Sequence, residues 1–388
     1  WQAFLDAGLT PAEAARHFVI VTDPGSPLEA AGREMGSVVI LADPEVGGRY
    51  SALTAFGLVP SALAGVDVVE LLDQAEALAD SLGRDTDNPA LALGVALGAA
   101  ATRGGRDKVA VVDDGTGLGI GDWVEQLIAE STGKLGRGIL PVVVENPSAP
   151  GATGDDVLTV TAGGSLPAGA VPGGGVRPHV AVNGPLGAQF LVWEAATAIA
   201  GRVLEINPFD QPNVTESKDN TAAILRSAPP AEAPAAVDGA VELYGTGATT
   251  VGQALAELVA AVGPGGYLAV MAYLDRWEDA AAAELRPVLA RATGRPVTFG
   301  WGPRFLHSTG QYHKGGPQHG VFLQLTGAVT DDLAVPGREY TFGTLQAAQA
   351  AGDRMALAGR GRPVLRLHLT DRAAGLAQVL AAARGLAT

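Results

Sequence analysis

Lys108-Val-Ala-Val-Val-Asp113 is the stretch that decides the fold. Its four central residues are all apolar, three of them valine, and no polar residue interrupts them. A strand with one wet face alternates apolar and polar residues. A uniformly apolar strand is buried on both faces, as in a parallel sheet covered by helices. His17-Phe-Val-Ile-Val-Thr22, Ser37-Val-Val-Ile-Leu41 and Leu140-Pro-Val-Val-Val-Glu145 repeat the pattern. Ala/Leu-rich helical stretches at 69–81 and 121–131 lie between them. Strands alternating with helices predict an α/β protein, doubly wound through right-handed crossovers.

Further along, the pattern predicts strands at 157–161, 203–206, 241–244, 267–273, 320–324 and 363–369. Helices are predicted at 184–200, 250–262, 277–293 and 344–358. These divide the chain into two α/β domains, 1–150 and 151–388. Gly/Pro/Ala loops at 146–155 and 163–175 lie near the join, and a Pro/Ala linker is expected at 228–236. No short-period repeat is visible.

A chain of 388 residues has room for such cores, and its sparse charge and plentiful apolar residues mark it as folded. Its formal net charge of -15 argues against nucleic acid and anionic membrane as partners, though a site can be locally positive. The absence of cysteine excludes disulfides, thiolate catalysis and Cys-ligated metals. No apolar run is long enough to span a bilayer and no secretory signal opens the chain, so a soluble cytoplasmic protein is expected. The opening residues, Trp1-Gln-Ala-Phe-Leu-Asp, read as the end of a helix already under way, as in an N-terminally truncated piece.

Lysine usage points to chemistry. There are four lysines, Lys108, Lys134, Lys218 and Lys314, against 22 arginines. Where composition favours arginine this strongly, the remaining lysines are candidates for tasks needing a compact ammonium. Four stretches stand out. In Val46-Gly-Gly-Arg-Tyr-Ser51, Gly47 and Gly48 let backbone N–H groups approach an anion, and Arg49 supplies a fixed positive fork. The competing reading is a plain loop-to-helix junction with an exposed arginine. In Glu130-Ser-Thr-Gly-Lys134, Gly133 fits a helix C-cap and Glu130 sits where the helix dipole disfavours a carboxylate, which suits a general base. The commoner case is an ordinary surface glutamate.

In Ile206-Asn-Pro-Phe-Asp-Gln-Pro-Asn-Val-Thr-Glu-Ser-Lys218, the prolines stiffen a loop. Asp210 and Gln211 are placed to orient a ligand, and Lys218 to hold or protonate an oxygen. The stretch 300–320 holds His307, His313 and His319 with Arg304, Ser308, Thr309, Lys314 and six glycines. His307 and His313 are metal-ligand types, but their spacing matches no common zinc pattern, and a proton-transfer or phosphate-contacting loop fits better. His17, His179 and His368 read as structural.

Together these motifs resemble phosphoglucose isomerase. Val46–Ser51 is similar to that family's Val-Gly-Gly-Arg-[Phe/Tyr]-Ser, and Glu130–Lys134 to its Glu-Ser-Asn-Gly-Lys. Residues 206–218 resemble its Ile-Asn-x-Phe-Asp-Gln-x-Gly-Val-Glu-x-Gly-Lys signature. The resemblance covers roughly the first 220 residues, and 300–320 looks like the variant found in isomerases fused behind a transaldolase. It implies two doubly wound sugar-isomerase (SIS) domains. It also implies interconversion of glucose 6-phosphate and fructose 6-phosphate through a cis-enediol, with no metal or organic cofactor. By the same resemblance Glu130 is the base, Arg49 stabilises the enediolate and Lys218 assists ring opening. His313 or His307 opens the ring. Gly47, Gly48, Ser51, Gln211, Lys134 and Lys314 contact substrate, and the partner is a second copy or a fused transaldolase. The chain departs from the family at Asn213-Val-Thr, which replaces Gly-Val-Glu, and in having Gly310-Gln-Tyr-His313 after the signature instead of before it. A non-catalytic sugar-phosphate-binding module, or an inactive fragment of the bifunctional protein, is the competing reading. Convergence of Glu130 and Lys218 on one cleft distinguishes catalysis from binding.

Overall fold

The computed structural model describes all residues except 168, 172–177, 228–231 and 388, and the side chains of 214 and 215. The first four residues of the expected 228–236 linker, and part of the 163–175 loop, therefore lie outside the described residues. The chain divides into two units, residues 1–91 with 184–195, and residues 92–183 with 196–388.

The first unit carries β1 (Val19–Thr22) and β2 (Val38–Leu41), a parallel pair joined by the helix Pro27–Met35. That helix begins where Ser26 accepts the Glu29 N–H with Pro27 at its start, and it stops at Gly36, whose φ of 77° only glycine adopts cheaply. A Cβ on Gly32 would lie 2.5 Å from Ile20 Cδ1, so glycine is what lets the helix lie on β1.

The second unit contains two sheets. Strands β3 (Lys108–Asp113), β4 (Leu140–Val144), β5 (Val157–Gly163) and β6 (Val180–Asn183) form a parallel sheet in the order β4-β3-β5-β6. Position 150 lies between β4 and β5, so one sheet spans the boundary expected from sequence. Strands β7 (Ala236–Asp238), β8 (Val241–Tyr244), β9 (Tyr267–Tyr273), β10 (Val297–Trp301), β11 (Gly320–Gly327) and β12 (Val364–Leu369) form the other, in the order β10-β9-β11-β12-β8-β7. Its first four strands are parallel; β8 and β7 are antiparallel at one edge.

Both faces of the six-stranded sheet are covered, as uniformly apolar strands require. Leu268, Val270 and Ala272 of β9 pack with the helices Val251–Ala260, Leu285–Thr293 and Arg372–Leu386. On the opposite face, Tyr267, Ala269, Met271 and Tyr273 share a core with Phe305, Tyr312 and the helix Phe342–Ala358. That core continues into Ala110, Val112, Leu140 and Val142 of the four-stranded sheet. The two sheets are thus joined by one apolar layer, and the 302–319 connection between β10 and β11 lies in it.

Two expectations need correcting. Residues 203–206 do not form a strand: the helix Leu186–Leu204 takes in 203 and 204 and ends as Glu205 adopts a φ of 58°. The presumed stiff loop around Lys218 is a helix, Pro212–Ser227, because proline at a first helical position has a suitable φ and no N–H to satisfy. No helix among the described residues is long and apolar enough to cross a membrane.

Candidate active site

Glu130 lies in the last turn of the helix Gly121–Thr132 and is buried, not a surface residue. Its Oε2 accepts the Ser308 N–H at 3.3 Å and lies 3.5 Å from Gln126 Nε2. The helix end is fixed by Thr132, whose Oγ1 donates to Ile128 O at 2.8 Å and accepts the Ile139 N–H at 3.0 Å. Gly133 follows with an ordinary negative φ of -75°. Its need for glycine is therefore spatial and not a left-handed cap: a Cβ there would lie 2.2 Å from Tyr312 Cα.

Lys134 turns inward. Its ammonium donates to Asn207 O at 2.7 Å, to Asp210 Oδ1 at 2.6 Å and to Asp210 O. Three donors meet three acceptors, so Lys134 ties the 207–210 turn to the end of the Glu130 helix. Gln211 is exposed just beyond this turn. The helix bearing Lys218 then begins, and its first turn is held by Gln311. Gln311 Oε1 accepts the Asn213 N–H at 2.9 Å, and its Nε2 donates to Asn213 Oδ1 at 2.9 Å and Gly133 O at 2.7 Å. This gives the departure at Asn213 a physical account, because its side chain pairs with a fully buried glutamine on another element. Lys218 itself is exposed.

The 300–320 stretch is a short 3-10 turn, Arg304–Leu306, followed by the helix Thr309–Gly315. Its glycines serve close packing more than ligand approach. A Cβ on Gly310 would lie 1.7 Å from Phe305 O, and one on Gly315 would lie 2.3 Å from Asn213 Oδ1. The two histidines separate. His307 is exposed, and its pKa is lowered first by partial burial and then by the charge of Lys218, with Glu130 pulling the other way. The shift favours the neutral imidazole, with Lys218 and Glu130 both acting on it. His313 is fully buried in an aromatic cage, 5.1 Å from Phe322 and 5.9 Å from Tyr267 and Phe305, ring centre to ring centre. Neither of its nitrogens has a hydrogen-bond partner among the described residues, and burial, reinforced by Lys314 and Arg362, holds its pKa well below the usual value. His313 is therefore a core residue.

Lys314 also points inward. Its ammonium donates to Asp353 Oδ1 and Phe305 O, both at 2.7 Å, and Tyr273 donates its hydroxyl to the same carboxylate. Both ammonium groups, of Lys134 and of Lys314, thus donate to protein acceptors. Gln311, Asn213 and Asp353 hold the arrangement together, and sequence reasoning gave none of them a role. Their partners are 39 to 178 positions away in sequence, beyond any local spacing signal.

Arg49, Gly47, Gly48 and Ser51 belong to the first unit. Arg49 is buried in the turn Gly48–Tyr50, contrary to the exposed-arginine reading, with its guanidinium 5.4 Å from the centre of the Tyr50 ring. Ser51 donates its hydroxyl to Gly48 O at 2.6 Å.

No protein-family model matches the chain. Among characterised proteins it is similar to sugar-phosphate isomerases. The particular relatives are glucose-6-phosphate isomerases. That of Heliobacterium modesticaldum is 28% identical over 277 residues, covering 57% of this chain and 61% of that one. That of Symbiobacterium thermophilum is 32% identical over 232 residues, covering 47% and 51%. A solved glucose-6-phosphate isomerase from Chlamydia trachomatis aligns over 59% of this chain and 56% of that one, at 20% identity and a TM-score of 0.45, too loose to bear on function. The chain spans 51–61% of the length of these two sequence relatives.

Proposed function

We propose that this chain carries the proton-transfer machinery of an aldose–ketose isomerase acting on a sugar phosphate, with glucose 6-phosphate and fructose 6-phosphate as the substrate pair. The observation that carries the reading is the buried Glu130 carboxylate held by the Ser308 N–H, next to His307; the lowering of the His307 pKa by burial and by the Lys218 charge supports it. Three segments distant in sequence supply a carboxylate base, a neutral imidazole and an ammonium. A module that only binds a sugar phosphate needs no buried base, so the arrangement favours catalysis over binding alone.

In this reading neutral His307 takes the proton of the anomeric hydroxyl as the ring bond to C1 breaks. The ring oxygen gains a proton in turn, with Lys218 assisting. Glu130 then removes the proton on C2, giving a cis-enediolate, and returns it to C1, while the hydroxyl proton moves from O2 to O1. His313, Lys134 and Lys314 take no part, because their polar groups are buried or committed elsewhere. That the chain is the isomerase portion of a transaldolase fusion is supported by the resemblance of 300–320 alone.

Glu130→Gln tests the assignment. Exchange of the C2 proton with solvent should fall by about 10²–10⁴-fold, the usual contribution of a positioned base, while phosphosugar binding persists. Exchange at a near-native rate would remove Glu130 from the mechanism.

A further inference from the structure

Ser308, whose N–H meets Glu130, has a φ of 45° and ψ of -127°. A side chain makes that conformation costly, so an observed outlier of this kind has to be held by its surroundings. Here the surroundings are Arg304. Its Nε donates to Ser308 Oγ at 3.1 Å, and one terminal nitrogen reaches Asp122 O at 2.6 Å and Glu125 Oε2 at 2.8 Å. Asp122 and Glu125 belong to the helix that carries Glu130. The guanidinium thus grips that helix near its start while fixing the residue that meets its last turn. Glu125 is buried and Arg304 half-buried, so the ion pair is only partly open to solvent.

We propose that Arg304 is a positioning residue for Glu130. It locks Ser308 in its strained conformation so that the Ser308 N–H orients the Glu130 carboxylate for proton transfer. The catalytic consequence rests on the isomerase reading above, whereas the lock itself is a claim about geometry. The planar fork matters, because a guanidinium donates in three directions at once where an ammonium on a flexible stem cannot reproduce the set.

The test compares the wild type with Arg304→Lys and Arg304→Ala. Arg304→Lys keeps the positive charge beside Glu125 but loses the fork. The first readout is the Ser308 amide proton in ¹H–¹⁵N spectra, with Glu130→Ala as reference for the lost contact. In Arg304→Lys this resonance should move upfield, in the direction seen for Glu130→Ala, and its exchange with solvent should quicken. The second readout is kinetic. For both substitutions kcat should fall about tenfold with KM for the sugar phosphate nearly unchanged, since small misplacements of a reacting group cost that much or more. Charge neutralisation of Glu125 alone would be rescued by lysine, so a Ser308 amide and a kcat that both stay at wild-type values in Arg304→Lys would overturn the proposal. A shifted amide with unchanged kcat would overturn it too. In a wild-type protein without isomerase activity the functional reading fails, and the amide comparison still decides whether Arg304 holds Ser308 against Glu130.

Discussion

Replacing Lys314 with methionine should be among the most destabilising single changes in the second unit, without touching substrate binding directly. The Lys314–Asp353 pair is 2.7 Å long and both side chains are fully excluded from solvent. Removing the cation leaves the Asp353 carboxylate with the Tyr273 hydroxyl as its remaining side-chain partner among the described residues. Breaking a buried pair from one side costs about 3–5 kcal/mol, because the surviving charge is neither hydrated nor matched. Phe305 O would lose its donor as well. Removing all three polar groups in Lys314→Met/Asp353→Leu/Tyr273→Phe should recover much of the loss, since apolar replacements of buried ion pairs are often neutral. Urea unfolding read by circular dichroism gives the comparison. A cost under about 1 kcal/mol for the single change, or a triple variant no more stable than the single one, would refute the reasoning. In the folded triple variant KM should stay close to the wild-type value. A rise of about tenfold, equivalent to 1.4 kcal/mol, would return Lys314 to the list of substrate ligands.

His307→Asn should slow turnover of the cyclic sugar by about 10²–10⁴-fold but spare proton exchange on an acyclic sugar phosphate, as expected of a group that only opens the ring. His313→Leu should leave kcat close to wild type and stability equal or higher, because it replaces a buried, unpartnered ring with an apolar side chain; a collapse of kcat with the fold intact would restore His313 to the mechanism. Glu125 is pushed up to about 7 by burial, against the pull of Arg304. The folded chain then binds this proton more tightly than the unfolded chain, so the stability tied to Glu125 should decline as pH rises from about 4.5 to about 7. The slope is at most about 1.4 kcal/mol per pH unit. Glu125→Gln should flatten that slope in urea titrations at a series of pH values; an unchanged slope would contradict the shift.

Strand content was legible where hydrophobic runs are long and unbroken. β3 and β9 have the ends the sequence predicts, because every residue between them is buried. β10 was not, because Val297-Thr-Phe-Gly-Trp301 mixes polar and small residues whose burial comes from neighbours. Lysine scarcity did single out special positions, but the special task is mostly internal. Lys108 is buried between Asp107 at 2.6 Å and Asp156 at 3.1 Å, and Lys134 and Lys314 fill comparably tight cages. A compact ammonium fits such cages, and only Lys218 stays exposed. Glu130 was readable from its motif. The residues that hold it, Ser308, Arg304 and Gln311, were not, because their roles arise only when the β10–β11 connection packs on the Glu130 helix.

That connection also sets an order of events during synthesis. Ser308 lies 178 positions after Glu130. At a translation rate of about 5–20 residues per second, the Glu130 helix leaves the ribosome roughly 10–35 s before the residue that holds it. Through that interval the four-stranded sheet lacks the cover supplied by Phe305 and Tyr312, and Glu130 has not yet met the Ser308 N–H. Contacts this distant in sequence form slowly, because the long loop must close before they repay its entropy. The nascent chain therefore has a window in which an apolar sheet face is complete but uncovered.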